Sequence, residues 1–150
     1  MTTNQTRRAR TEDVPNLATV FDQYRVFYRK ASDVTGAVSF LAQRLSRSES
    51  VIFLSETQDK ITGFAQLYPL FSSTRMQSLW LLNDLFVVPD LRGMGISKAL
   101  IEASKTHATQ TGACGLCLET EKKNTIANQL YLATNWELNQ DYNYYFFNLK

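Results

Sequence analysis

One boundary in the middle of the chain restricts its fold more than any other feature. The run from Ser78 to Val88 reads as a long strand, carrying Leu85, Phe86, Val87 and Val88 up to Pro89 and Asp90, which stop it. Beyond the stop, Ile96, Leu100, Ala103 and His107 recur at i, i+4, i+7 and i+11, the spacing of a helix running to about Gln110. The joint between them is RGMGIS, residues 92–97, which holds two of the chain's six glycines. A strand, a turn and a helix in that order form the first part of a crossover, so a strand beyond the helix pairs in parallel with the first.

The turn has a chemistry of its own. A helix N-terminus presents unpaired backbone N–H groups and the positive end of the helix dipole, which together bind phosphate oxygens. Gly93 and Gly95 have no Cβ and accept positive φ, so the amides around Met94 and Ile96 can converge on an anion, with Arg92 and Lys98 adding charge and Ser97 a hydroxyl. Such a site suits a pyrophosphate. Taken alone, two glycines before a helix are equally a tight turn and nothing more. The segment is not a Walker loop, because no Gly-Lys-Ser/Thr closes it. It is a poor dinucleotide fingerprint as well, since Lys98 stands where a third glycine is wanted.

The flanking sequence supplies the remaining elements. After a short first strand, Leu17, Val20, Phe21, Tyr24, Phe27 and Tyr28 recur at helical spacing from Val14 to Tyr28, with Pro15 suited to the first turn. A second helix runs from about Thr35 to Arg47 on Val38, Leu41, Ala42 and Leu45. Strands follow at Val51–Ser55 and Ile61–Leu70, the latter forming a hairpin with the Ser78–Val88 run. Past Gly112 come a strand over Leu116–Glu119, a helix over Asn124–Asn135, and a last strand over Tyr144–Leu149, whose aromatics read as core. The order predicts an α/β fold, one domain with a mixed central sheet of about six to seven strands flanked by about four helices.

Composition excludes several classes. A chain of 150 residues is the size of one domain and can bury roughly 70% of its unfolded surface. A formal net charge of +2 is too small for a nucleic-acid binder, and Arg7, Arg8 and Arg10 read as a solvated strand end. No window approaches the ~18 apolar residues of a membrane span, and the start lacks the apolar core of a secretory signal, so a cytoplasmic location is expected. Cys114 and Cys117, with the single His107, are too few for a four-ligand zinc site and read as free thiols; no metal is expected.

A second segment, KKNTIANQLYLATNW over residues 122–136, sets Asn124, Ala127 and Tyr131 at i, i+3 and i+7 on one helix face. That spacing puts the phenol about 10 Å along the axis from the amide. Asn124 is also a natural N-cap and Tyr131 a natural core-edge aromatic.

Arg-x-x-Gly-x-Gly/Ala after an apolar strand resembles motif A of the GCN5-related N-acetyltransferase (GNAT) superfamily, with Arg92, Gly95 and Ser97 at the marked positions and Ser97 replacing the usual Gly or Ala. N-x-x-A-x-x-L-Y is similar to the same family's motif B. The resemblance covers nearly the whole chain and implies acetyl-CoA as cofactor, its pyrophosphate on the 92–97 turn and its pantetheine arm paired with backbone of Phe86, Val87 and Val88. It also implies Asn124 as a contact to that arm and Tyr131 as the acid that protonates the departing thiolate. Direct transfer is implied, with no covalent enzyme intermediate, so the cysteines are not nucleophiles. A β-bulge is implied in the strand that offers the Val87 N–H to the thioester carbonyl.

Asp84 and Glu119 are the carboxylates within reach of a base's role. LLNDLFV, residues 81–87, resembles the Leu-Glu-Asp-Phe-Phe-Val of polyamine and diamine acetyltransferases, with Asn83 replacing the Glu and Asp84 left to hold an ammonium. Asp84 as an orienter of the bulge, and Glu119 as a structural or water-binding group, are alternatives. The resemblance implies an acceptor pocket from Tyr24, Tyr28, the 29–35 loop and the strand holding Asn83. YRVFYRK, residues 24–30, resembles the opening helix of the fungal histone and polyamine acetyltransferase branch, which points to a basic primary amine: a polyamine, a diamino acid or a lysine side chain. The expected partners are a small-molecule amine and, as in many GNAT members, a second copy in a homodimer. A protein-lysine acetyltransferase and a non-catalytic acyl-CoA-binding module are the other readings.

Overall fold

The structure, a computed structural model, describes residues 4–149. It divides into two compact units, one ending at Glu119 and one beginning at Thr120.

The first unit is built on a mixed sheet with strand order β1-β2-β3-β4-β5. The strands are β1 (Gln5–Arg8), β2 (Val51–Thr57), β3 (Lys60–Ser72), β4 (Gln77–Val87) and β5 (Leu116–Cys117). The first three pairings are antiparallel. β4 and β5 are parallel, with Trp80 opposite Leu116 and Leu81 opposite Cys117, as the crossover through α3 (Ile96–Gln110) demands. Two further helices, α1 (Val14–Phe27) and α2 (Val34–Ser46), join β1 to β2.

Burial follows the two periods in the sequence. Leu17, Ala18 and Phe21 of α1 and Leu41 of α2 pack with Ile52 and Leu54 of β2, Phe64 of β3 and Phe86 of β4 in one cluster. Strand side chains alternate, so their neighbours face the other way. There, α3 covers the sheet, with His107 against Phe53 and Trp80 and with Ile96 beside Gly63. Asp33 starts α2 by accepting the Gly36 N–H at 2.8 Å.

The second unit holds α4 (Thr125–Ala133). Asn124 caps it, its Oδ1 accepting the Ala127 N–H at 3.1 Å. The chain then turns at Asn135, whose φ is 64°, and Trp136 packs edge-on to Tyr131 with ring centroids 5.9 Å apart.

Three expectations need correction. Among the described residues the sheet has five strands, not six to seven, and Tyr144–Leu149 is not a strand. Tyr145 and Phe147 there are 86% and 85% exposed. Aromatic content measures how well a residue fits a pleated surface, and without a partnering ladder it makes no strand. β5 is also shorter than expected, ending at Cys117 instead of Glu119. Among the described residues no helix is long and apolar enough to cross a membrane.

Candidate active site

The glycine turn follows the end of β4 through a single 3-10 turn, Pro89–Leu91. Gly93 and Gly95 have φ of 77° and 81°, a region costly for any residue with a Cβ. Gly95 is the N-cap of α3; it offers no side chain to the helix, and the first turn carries no acidic residue. The leading amides of α3, at Ile96, Ser97 and Lys98, therefore point outward with no capping group. A Cβ built on Gly93 or Gly95 would meet nothing within 4 Å. Conformation, and not crowding inside the chain, requires glycine at both positions, and the space before the turn is open.

Arg92 lies back over the strand. Its Nε donates to the Val87 carbonyl at 3.0 Å, and its guanidinium sits 5.4 Å and 5.5 Å from the ring centroids of Phe27 and Phe86. It lines a cleft of about 490 Å³ with Asp22, Val26, Phe27, Phe86 and Pro89.

β4 has an open edge because β5 is only two residues long. β5 pairs with it as far as Leu81, leaving residues 82–87 without a strand on that side among the described residues of the unit. Val88 N–H donates to Thr62 C=O, and the alternation of a strand turns the amide and carbonyl of Val87 the other way, to the open edge. A bulge falls near the start of this stretch. Gln66 pairs with Asp84 and Leu67 with Leu82, so Asn83 is the inserted residue.

The bulge brings Asp84 onto the α1 side of the sheet. Its carboxylate is 5% exposed; Oδ2 accepts from Gln66 Nε2 at 2.7 Å and Oδ1 from Asn83 Nδ2 at 2.9 Å. The Tyr24 hydroxyl is a further partner. Burial pushes the Asp84 carboxyl above its ordinary range, against the pull of those donors. Tyr24 and Tyr68 are raised in turn, first by burial and then by the charge of Asp84. Tyr24 stands edge-on to Phe64, Phe86 and Tyr28, with centroids 5.7, 6.1 and 5.0 Å away.

Asp22 anchors the 29–35 loop. It accepts from Asp33 N–H at 2.9 Å, Ser32 Oγ at 2.6 Å and Arg25 Nη1 at 3.0 Å, and these bonds, led by the Asp33 amide, lower its carboxyl below the usual range.

Thus Phe86, Val87, Val88 and residues 92–98 form one continuous feature of the first unit, and Tyr24, Tyr28, Asn83 and Asp84 form a second beside it, sharing Phe86. Glu119 is exposed beyond β5, its charge bearing on the Cys117 thiol, which burial raises first. Asn124, Ala127 and Tyr131 belong to the second unit. Both cysteines are free.

Two residues escaped the sequence reading. Gln66 is fully buried within the run ITGFAQLYPL, where a polar side chain at a core-facing position was the available signal. Gly63 lets β3 and β4 approach: a Cβ there would stand 2.7 Å from the Phe86 carbonyl oxygen.

An α/β sheet whose fourth strand ends in a glycine turn, with a bare helix terminus next to an open strand edge, is the architecture of an acyl-group transferase. The chain belongs to the acetyltransferase (GNAT) family, which it matches over residues 17–135, and it is an N-acetyltransferase. It is 45% identical to an uncharacterized N-acetyltransferase, YhfO, of Bacillus subtilis (strain 168), over 95% of this chain and 96% of the relative. It is 32% identical to a probable acetyltransferase of known crystal structure, with a TM-score of 0.92 over 97% and 98% of the two chains. An aminoglycoside N-acetyltransferase solved in complex with CoA shares the fold at 18% identity, with a TM-score of 0.83 over 99% and 97%.

Proposed function

We propose that the chain moves the acetyl group of acetyl-CoA directly to a primary amine, a small basic one such as a polyamine or diamino acid. The observation that carries this reading is the turn at 92–97: two glycines at positive φ before a helix whose leading amides no side chain caps. Those amides, with Arg92 and Lys98, would hold the diphosphate of CoA. The outward backbone of Val87 would pair with the pantetheine arm as an added strand, alongside Phe86 and Val88. Bound there, acetyl-CoA supplies an activated thioester carbonyl.

The chain's own residues would do the rest. Val87 N–H would polarise the carbonyl as negative charge develops on its oxygen. Asp84 would hold the acceptor's ammonium and take its proton, and its raised carboxyl suits a base. Glu119 is the other carboxylate for that role. Tyr131 would give a proton to the departing sulfur and Asn124 would contact the arm, with Ala127 between them on α4. Tyr24, Tyr28 and Asn83 would line the acceptor side. The opening helix's likeness to the histone and polyamine branch supports a basic acceptor, and a cytoplasmic homodimer is the assembly this reading carries.

Calorimetric titration of CoA, followed by thiol-release assays with spermidine, putrescine, lysine and a lysine peptide, tests the proposal. We expect heat on titration and turnover with a free diamine or polyamine. Absence of heat overturns the reading at its root. Turnover with the peptide and little with free amines assigns a lysine side chain, and binding without turnover assigns an acyl-CoA-binding module.

A further inference from the structure

A buried carboxylate calls for a cation, and a buried amide calls for partners on both of its groups. The pair on β3 and β4 at the bulge lacks both. Asp84 is 5% exposed, and the groups that bear on it are the neutral donors of Gln66, Tyr24 and Asn83. Gln66 is wholly buried; its Nε2 donates to Asp84, while its buried Oε1 has no hydrogen-bond donor among the described residues. Turning the amide over does not cure this while Asp84 is ionised, as it must be to take a proton, because it would set Oε1 against the carboxylate, acceptor facing acceptor. The register makes the two residues direct cross-strand partners. Side by side they form a pair of acceptors, one charged, short of positive charge and of N–H groups. A primary ammonium brings both.

We infer that Gln66 is a specificity-determining residue whose Oε1 accepts an N–H of the acceptor's ammonium while Asp84 receives its charge, so that the site selects primary amines over N-methylated ones. This rests on the reading of Asp84 given above. A primary ammonium that gives one N–H to Asp84 and one to Gln66 has only a third hydrogen left to place, whereas a singly methylated one must put its methyl group there, beside a buried pair. Holding one N–H on Gln66 fixes rotation about the C–N bond and hence the direction of the lone pair. Tyr24, whose hydroxyl contacts Asp84, packs edge-on to Tyr28 with centroids 5.0 Å apart and covers one side of the pair.

The test has two arms. In the wild-type protein, the side-chain NH2 resonances of Gln66 are followed by NMR during titration with methylammonium chloride and with tetramethylammonium chloride. We expect them to move with the first salt and not with the second. An equal response to both, or none to either, overturns the inference. In the transfer assay, Gln66→Met raises the acceptor's KM about tenfold, the scale of a hydrogen bond to a charged group, and leaves the KM for acetyl-CoA unchanged. It also narrows the kcat/KM ratio between the best primary amine and its N-methyl analogue. An unchanged ratio in Gln66→Met refutes the role, as does a KM for acetyl-CoA that rises as much as the acceptor's. Protection from thermal unfolding by CoA shows whether the variant folds, and the wild-type NMR arm decides if it does not. A wild-type chain that binds CoA but acetylates no amine refutes the proposed activity, and the NMR arm still judges Gln66.

Discussion

Asp84 is pulled two ways: it is buried, which favours its neutral form, and it carries the donors that favour the charged one. Replacing it by Asn removes the charge and keeps the size. We expect Asp84→Asn to weaken a cationic acceptor at least about tenfold in KM, the scale of a charged hydrogen bond, with CoA binding unchanged. Its stability effect follows from the sign of the shift. Because the folded carboxyl is raised above 3.8, ionisation costs the native state stability as pH rises from there through the raised value. The difference in Tm between variant and wild type should therefore move in the variant's favour from acid to neutral pH, and a pH-independent difference refutes the shift. Tyr131→Phe tests the acid: turnover should fall about a hundredfold, the lower range of general acid catalysis, at constant CoA affinity in calorimetry. Asp84 was legible in the sequence through the run LLNDLFV. Gln66 was not, because its partnership with Asp84 depends on the bulge at Asn83, and a one-residue shift of register is invisible to a period-two pattern.

Elements built from local chemistry were the most readable. The strand stop at Pro89, the glycines, and the heptad-like spacing of α3 lie within a few turns of one another, and the structure has all three where the sequence predicts them. A side chain at Gly95 should be intolerable because of φ, since the space around it is open. Gly95→Val is expected to abolish the rise in Tm that CoA confers, measured by differential scanning fluorimetry; undiminished protection would show that the turn is not the anion's seat. Gly63 was unreadable for the opposite reason, being defined by a carbonyl on another strand. The same distinction explains the missing sixth strand. Tyr144–Leu149 has the composition of a strand, but a ladder is a property of two segments and one segment does not announce its partner.

For the molecule as a whole, pH stability is governed at the acid end by two anchors far from Asp84 in role. Arg7 bridges Asp13 and Glu56, binding β1, the turn before α1 and β2 together, and Asp22 ties α1 to the loop before α2. The Arg7 guanidinium holds the Asp13 carboxyl below its usual 3.8, and the Asp33 amide does the same first for Asp22. Stability from both is present above that value and lost as pH falls through the lowered ones. We expect Tm to hold down to about pH 4 and drop steeply below it, and Asp13→Asn to start lower and fall less steeply; parallel curves would refute the assignment. The brevity of β5 has a consequence of another kind. A sheet edge left unzipped past Leu81 is a groove cut to length, so on the reading proposed above the reach of β5 would set how much of an extended ligand the chain grips. A strand lengthened by a residue or two would shorten the slot only at its Leu82 end; one carried on to Val87 would close it like a seam.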